Sequence, residues 1–153
     1  MKKLLLAVVV LVVLLACNKD KYQTKPQISV KSVATDDVPV NGDLTVVLSY
    51  TDKEGDISDS LFIKKIRLNK TVVATLRDSL KYKIPDMPDY SKGEITVALD
   101  YQNNLISAVT APPVQGSNPP QPQPDTLLIR MWIHDKAGNT SDTVNIGPVA
   151  VRR

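Results

Sequence analysis

The chain has 153 residues, 19 basic side chains against 16 acidic ones, and one cysteine, which suits a single domain once a leader is set aside. One cysteine excludes an intrachain disulfide, a zinc cluster and a CxxC redox pair. The near balance of charge lacks the basic footprint of a nucleic-acid surface, so no nucleic acid is expected as a partner.

Met1-Lys2-Lys3 is a basic start and residues 4–16 form an unbroken apolar run ending in a small residue, the layout of a secretory signal. A bilayer-spanning helix needs roughly 20 apolar residues, and this run stops sooner, at the polar series Asn18-Lys19-Asp20-Lys21. Leu14-Leu15-Ala16-Cys17 resembles a bacterial lipobox. The resemblance implies that residues 1–16 are a lipoprotein signal peptide and that Cys17 is lipidated and becomes the mature amino terminus. A small residue at an ordinary cleavage site is the alternative. In similar lipoproteins an aspartate after the cysteine diverts the protein from the outer membrane. Here Asn18 follows, so the resemblance implies a lipid anchor in the cell outer membrane, with either leaflet open. Lys19-Asp20 looks like the charged export signal of surface lipoproteins. The membrane partner would then be engaged by acyl chains, each buried CH₂ contributing about 0.8 kcal/mol. Removal of the first sixteen residues takes away Lys2 and Lys3, leaving 17 basic against 16 acidic side chains.

Residues 17–25 are polar and aperiodic after the cysteine and read as a tether, with a folded domain expected over 26–153. Residues 27–33 place Ile28 and Val30 on one side of a strand, and residues 43–51 alternate through Leu44, Val46, Leu48 and Tyr50. Asn41-Gly42 turns the chain between them. After an acidic loop over 52–59, residues 60–68 are predicted to turn Phe62, Ile66 and Leu68 inward and Ile63, Lys65 and Arg67 outward. The same parity runs from 71 to 84 through Val72, Ala74, Leu76, Leu80, Tyr82 and Ile84, as one bent edge strand or a hairpin about Arg77-Asp78-Ser79. Pro85 and Pro88 mark a loop, and residues 93–101 form a clear strand facing Ile95, Val97, Leu99 and Tyr101 inward.

Residues 111–125 hold six of the eleven prolines and are predicted to be an exposed polyproline-like loop, either a ligand arm or a surface insertion. Residues 126–134 turn Leu127, Ile129, Met131 and Ile133 to one face and Leu128, Arg130, Trp132 and His134 to the other. Lys136-Ala137-Gly138-Asn139 then turns the chain into a last strand over 141–151. No stretch after the leader sustains a helical period, so the fold class is all-β. Seven or eight short strands fit an immunoglobulin-like antiparallel β-sandwich, with an open barrel as competitor. The segment Asp135-Lys136-Ala137-Gly138-Asn139-Thr140-Ser141 looks like the D-x-A-G-N-x-S hairpin of bacterial immunoglobulin-like and fibronectin-like domains.

Asp52-Lys53-Glu54-Gly55-Asp56 spaces carboxylates by two about a glycine, as oxygen ligation of calcium requires. It resembles the D-x-E/D-G-D loops of cadherin-like β-sandwiches. In a seven-stranded sandwich the loops after the second and sixth strands share one end, bringing Asp135 and Asn139 toward Asp52, Glu54 and Asp56. A solvated acidic turn is the other reading of this loop. Trp132 is a candidate stacking platform for a sugar, or a ring covered by neighbouring chain. Asp59-Ser60-Leu61, Asp78-Ser79-Leu80, Asp125-Thr126-Leu127 and Asp142-Thr143-Val144 resemble the acceptor tripeptide of periplasmic O-glycosylation, which implies Ser60, Ser79, Thr126 and Thr143 as acceptors. The same order also carries a turn into a strand. No GxSxG elbow, HExxH pair or Gly-rich phosphate loop occurs, and His134 and Asp135 fall on opposite sides of one strand. The expected function is therefore a non-catalytic binding or scaffolding module at the envelope, with envelope proteins or glycans as partners. A calcium-stabilised spacer and a glycan-binding accessory protein are the alternatives.

Overall fold

A computed structural model describes residues 24–70, 78–106 and 110–153. The signal segment, Cys17, most of the tether, and Val72, Ala74 and Leu76 lie outside the described residues. The strands are β1 (Gln27–Val33), β2 (Asp37–Val38), β3 (Leu44–Thr51), β4 (Ser60–Arg67), β5 (Ser79–Lys83), β6 (Lys92–Leu99), β7 (Asp125–His134) and β8 (Val144–Val151). They make two sheets, one of order β1-β3-β6 and one of order β2-β8-β7-β4-β5. Neighbours are antiparallel except β2 and β8. The chain is all-β, as its alternation predicts.

One side chain in two faces the core because successive residues of a strand point to opposite sides. In β3 these are Leu44, Val46, Leu48 and Tyr50, and in β7 Leu127, Ile129, Met131 and Ile133. All eight are buried in one apolar cluster to which both sheets contribute. β1 is an edge strand whose register shifts between Val30 and Ser32, so Val30 is 37% exposed rather than inward. In β5 Leu80 and in the adjoining loop Ile84 turn inward, while edge-placed Tyr82 stays 38% exposed.

β4 corrects the expected phase. Leu61 and Ile63 are the buried apolar residues, Phe62 and Ile66 are only partly covered, and Leu68 lies exposed beyond the strand. Apolar residues sit on both faces here, so alternation alone cannot choose between them. Beyond Ile63 the inner face of β4 turns polar. The Lys65 ammonium reaches the carbonyl of Asn104, and the Arg67 guanidinium pairs with Asp125, itself held by Arg153. Long cationic stems thus line the end of the core while their heads find oxygen.

Tyr101 does not end a strand. It opens a π-helical turn, Tyr101–Leu105, in which Leu105 N donates to Asp100 O at 3.1 Å and Ile106 N to Tyr101 O at 3.0 Å. Asp100 caps it, accepting from Asn103 N at 2.6 Å. The turn buries Tyr101 and Leu105, and the tyrosine hydroxyl donates to Arg152 O.

The proline-rich segment is not an open polyproline arm. Val114 N donates to Gln121 O and Gln123 N to Pro112 O, both at 2.8 Å, and Pro113 lies opposite Pro122. Pro113 and Pro122 occupy the rung that needs no donor, so the segment closes into a hairpin despite its prolines. The last strand begins at Val144, later than expected. Its register slips opposite Leu127 and Ile129. There Gly147 has φ +117°, and an added Cβ would stand 2.6 Å from Leu127 O, a position only glycine tolerates.

Candidate metal centre

The inward ladder of β3 runs Leu44, Val46, Leu48, Tyr50, and the next residue of that parity is Asp52. The inward ladder of β7 runs Leu127, Ile129, Met131, Ile133, and its next residue is Asp135. Each sheet therefore ends its apolar face on a carboxylate at the same end of the core. Asp52 is 0% and Asp135 2% exposed.

Asp56 joins them from the β3–β4 loop. One carboxylate oxygen from each of Asp52, Asp56 and Asp135 lies within 4.8 Å of the others. Gly55 shapes the loop: its φ of +76° and the 2.8 Å separation of a built Cβ from the Asp89 carbonyl carbon both exclude a side chain. The fold-back lets Asp56 N donate to Asp52 Oδ2 at 3.0 Å, with a second backbone bond from Gly55. Lys136 N donates to Asp56 O at 3.0 Å and ties the two loops together. Asn139 holds Asp135 at both oxygens, its backbone N donating to Oδ1 at 2.7 Å and its Nδ2 to Oδ2 at 2.8 Å.

Two oxygens have no such partner. Oδ1 of Asp52 and Oδ1 of Asp56 are buried without a hydrogen bond, and among the described residues no Lys or Arg forms an ion pair with any of the three carboxylates. Two like charges about 4 Å apart repel by about 4 kcal/mol at an effective dielectric of about 20. Burial, and then the neighbouring Asp56, push the Asp52 carboxyl above its ordinary value of 3.8, against the lowering effect of the two backbone N–H groups. Such a cluster is relieved by a proton or by a cation.

The donors are all oxygen, which suits a hard ion. Zinc, which favours nitrogen and sulfur, finds neither: His134 lies on the other side of β7, its ring 4.5 Å from that of Phe62. Calcium takes six to eight oxygens at about 2.3 to 2.6 Å, and three carboxylates supply up to six, the remainder coming from carbonyls or water.

Of the five residues expected as ligands, Asp52, Asp56 and Asp135 come together. Glu54 is exposed and outside the cluster, and Asn139 hydrogen-bonds both oxygens of Asp135 at its edge. Trp132 lies half-buried on the outer face of β7, stacked on Phe62 with centroids 5.4 Å apart and planes 4° apart. Sequence reasoning misses that pairing because it turns Phe62 inward. Among the glycosylation candidates Ser60 is 3% exposed, leaving no room for a sugar on the folded chain. Thr126 is half-buried, and Ser79 and Thr143 are exposed. A cleft of about 720 Å³ lies elsewhere, under the proline-rich hairpin and beside the Asp37–Arg152 ion pair. Comparison with family models, with curated proteins and with solved structures finds no match.

Proposed function

We propose that this chain is an outer-membrane lipoprotein of the bacterial envelope, anchored through acylated Cys17, whose domain is a non-catalytic binding or scaffolding module clasped by calcium. The observation that carries the calcium reading is the pair of buried, unpartnered oxygens on Asp52 and Asp56 beside Asp135. An immunoglobulin-like sandwich is supported by the strand order. Lettering β1, β3, β4, β6, β7 and β8 as A, B, C, E, F and G gives sheets A-B-E and C-F-G, the partition of that fold.

Asp52 leaves a strand of one sheet and Asp135 a strand of the other. A cation between them joins the two sheets in a chain that has no disulfide. Binding to the folded state alone stabilises it by RT ln(1 + [L]/Kd), about 2.7 kcal/mol at a hundredfold excess over Kd. Thermal melting of the full-length protein in detergent, with calcium and with a chelator, tests this. The midpoint rises by several degrees with calcium, and Asp52→Asn abolishes the rise. Equal midpoints in calcium and chelator at pH 7 would remove the cation from the proposal.

A further inference from the structure

On the outer face of the five-stranded sheet, charge is sorted. The outward positions of β4, β5 and β7 carry Lys64, Lys81, Lys83 and Arg130 and no carboxylate. Of these four, only Lys83 meets an acid among the described residues, Asp86 of the adjoining loop, at 3.3 Å. Lys64, Lys81 and Arg130 are exposed and form no ion pair among the described residues. Lys64 lies directly opposite Arg130 across the β4–β7 ladder, where Cβ atoms of facing residues stand about 4.5–5.5 Å apart and like charges destabilise the pair. In a chain of nearly balanced charge, that juxtaposition is a cost the fold alone does not compensate.

The next rung of the same ladder is Phe62 opposite Trp132, and the next Ser60 opposite His134. Rungs on one face repeat at roughly 7 Å, so an apolar ring step sits beside a doubly cationic one. Phe62 is engaged on several sides, by Trp132, by His134 at 4.5 Å, and by the Lys81 ammonium 5.2 Å from its centroid. Trp132 makes ring contact with Phe62 alone among the described residues and keeps part of its surface in solvent.

We propose that this face binds an acidic polysaccharide, a sugar ring packing on Trp132 while its carboxylates or sulfates lie between Lys64, Arg130 and Lys81. A ring with a flat apolar side and an anionic substituent matches both rungs at once. A single-stranded nucleic acid matches less well, because sequence-tolerant binding of that kind needs successive free rings for successive bases, and Phe62 is already engaged by Trp132, His134 and Lys81. The site shares no residue with the carboxylate cluster, so it stands or falls apart from the calcium reading.

The test is affinity electrophoresis of the full-length protein in detergent and chelator, through gels containing polygalacturonate, dextran or single-stranded oligothymidylate. Polygalacturonate retards the parent, the retardation fades as salt rises, and dextran has no effect. Trp132→Ala and the double variant Lys64→Glu, Lys81→Glu each weaken binding about tenfold while still unfolding in one cooperative melting transition, whereas Lys92→Glu, on the other sheet, leaves binding intact. No retardation by polygalacturonate, equal retardation by dextran, or stronger retardation by oligothymidylate each overturns the proposal, as does equal weakening by Lys92→Glu.

Discussion

Asp52 has two environments written into it, apolar core on one side and two acids on the other, and its protonation responds to both. Its folded-state pKa is raised, so metal-free folding binds a proton that the unfolded chain releases. The stability this contributes is complete below the unfolded value near 3.8 and is lost as pH rises through the higher folded value. Chemical denaturation in chelator from pH 4 upward should therefore show stability falling with pH, while in calcium, which needs the deprotonated oxygens, it should hold or rise. Asp52→Asn removes one of the repelling charges. Without metal at pH 7 the variant is expected to be at least as stable as the parent and flat in pH through that window, a result that urea titration reads directly. The position is legible in the amino-acid pattern alone: extending the Leu44-to-Tyr50 alternation by one step, and Leu127-to-Ile133 likewise, lands on Asp52 and Asp135. The loop spacing points to the same acids but also to Glu54, because spacing carries no information on which carboxylates a left-handed glycine turns inward.

At the scale of the element, legibility depends on the contrast between the two faces of a strand. β3 and β7 alternate cleanly, and their phase reads correctly from sequence. β4 carries Leu61, Phe62, Ile63 and Ile66 on both faces, and its phase is set by which neighbours it meets, Leu61 opposite Ile133 and Ile63 opposite Met131. Replacing Ile63 with Ala should cost about 2–5 kcal/mol as a fully buried truncation, and Ile66→Ala less than about 1.5 kcal/mol. Urea midpoints of the two variants separate the phases, since the reverse order would restore Phe62 to the core side. The π-helical turn leaves no sequence signal because Tyr101 keeps the parity of β6 and is buried as predicted, while the backbone beneath it has already left the sheet. The proline-rich hairpin is hidden for a related reason. Composition reports the donors a segment lacks, whereas its ladder needs donors only at alternate positions, and Val114 and Gln123 supply them.

For the molecule as a whole, the fold class and the approach of Asp135 to the acidic loop are readable from strand count and turn chemistry, but the polar cluster at the opposite end of β7 is not. There Arg67 and Arg153 converge on Asp125 within the five-stranded sheet, an arrangement that depends on contacts between distant parts of the chain. The proposed anchor is also a whole-molecule property, since it places every residue of the mature chain at a membrane through one sulfur. Cys17→Ser should shift the protein from the membrane pellet to the soluble fraction on carbonate washing, with the melting behaviour of the domain unchanged. A variant that stays in the pellet, or parent protein whose intact mass carries no diacylglyceryl group, refutes the lipid attachment.

The chain enters the fold beside the carboxylates: Asn139 Nδ2 donates to Thr24 O at 3.4 Å, Lys25 meets Asp142 at 2.5 Å, and Gln27 pairs with Thr51 next to Asp52. Tension arriving from the amino terminus therefore pulls β1 along its own axis and loads the β1–β3 ladder in shear, every rung at once, rather than peeling rungs singly. An ion riveting Asp52 to Asp135 would pass part of that load to the second sheet. In single-molecule pulling from residue 17, the rupture force should be higher in calcium than in chelator.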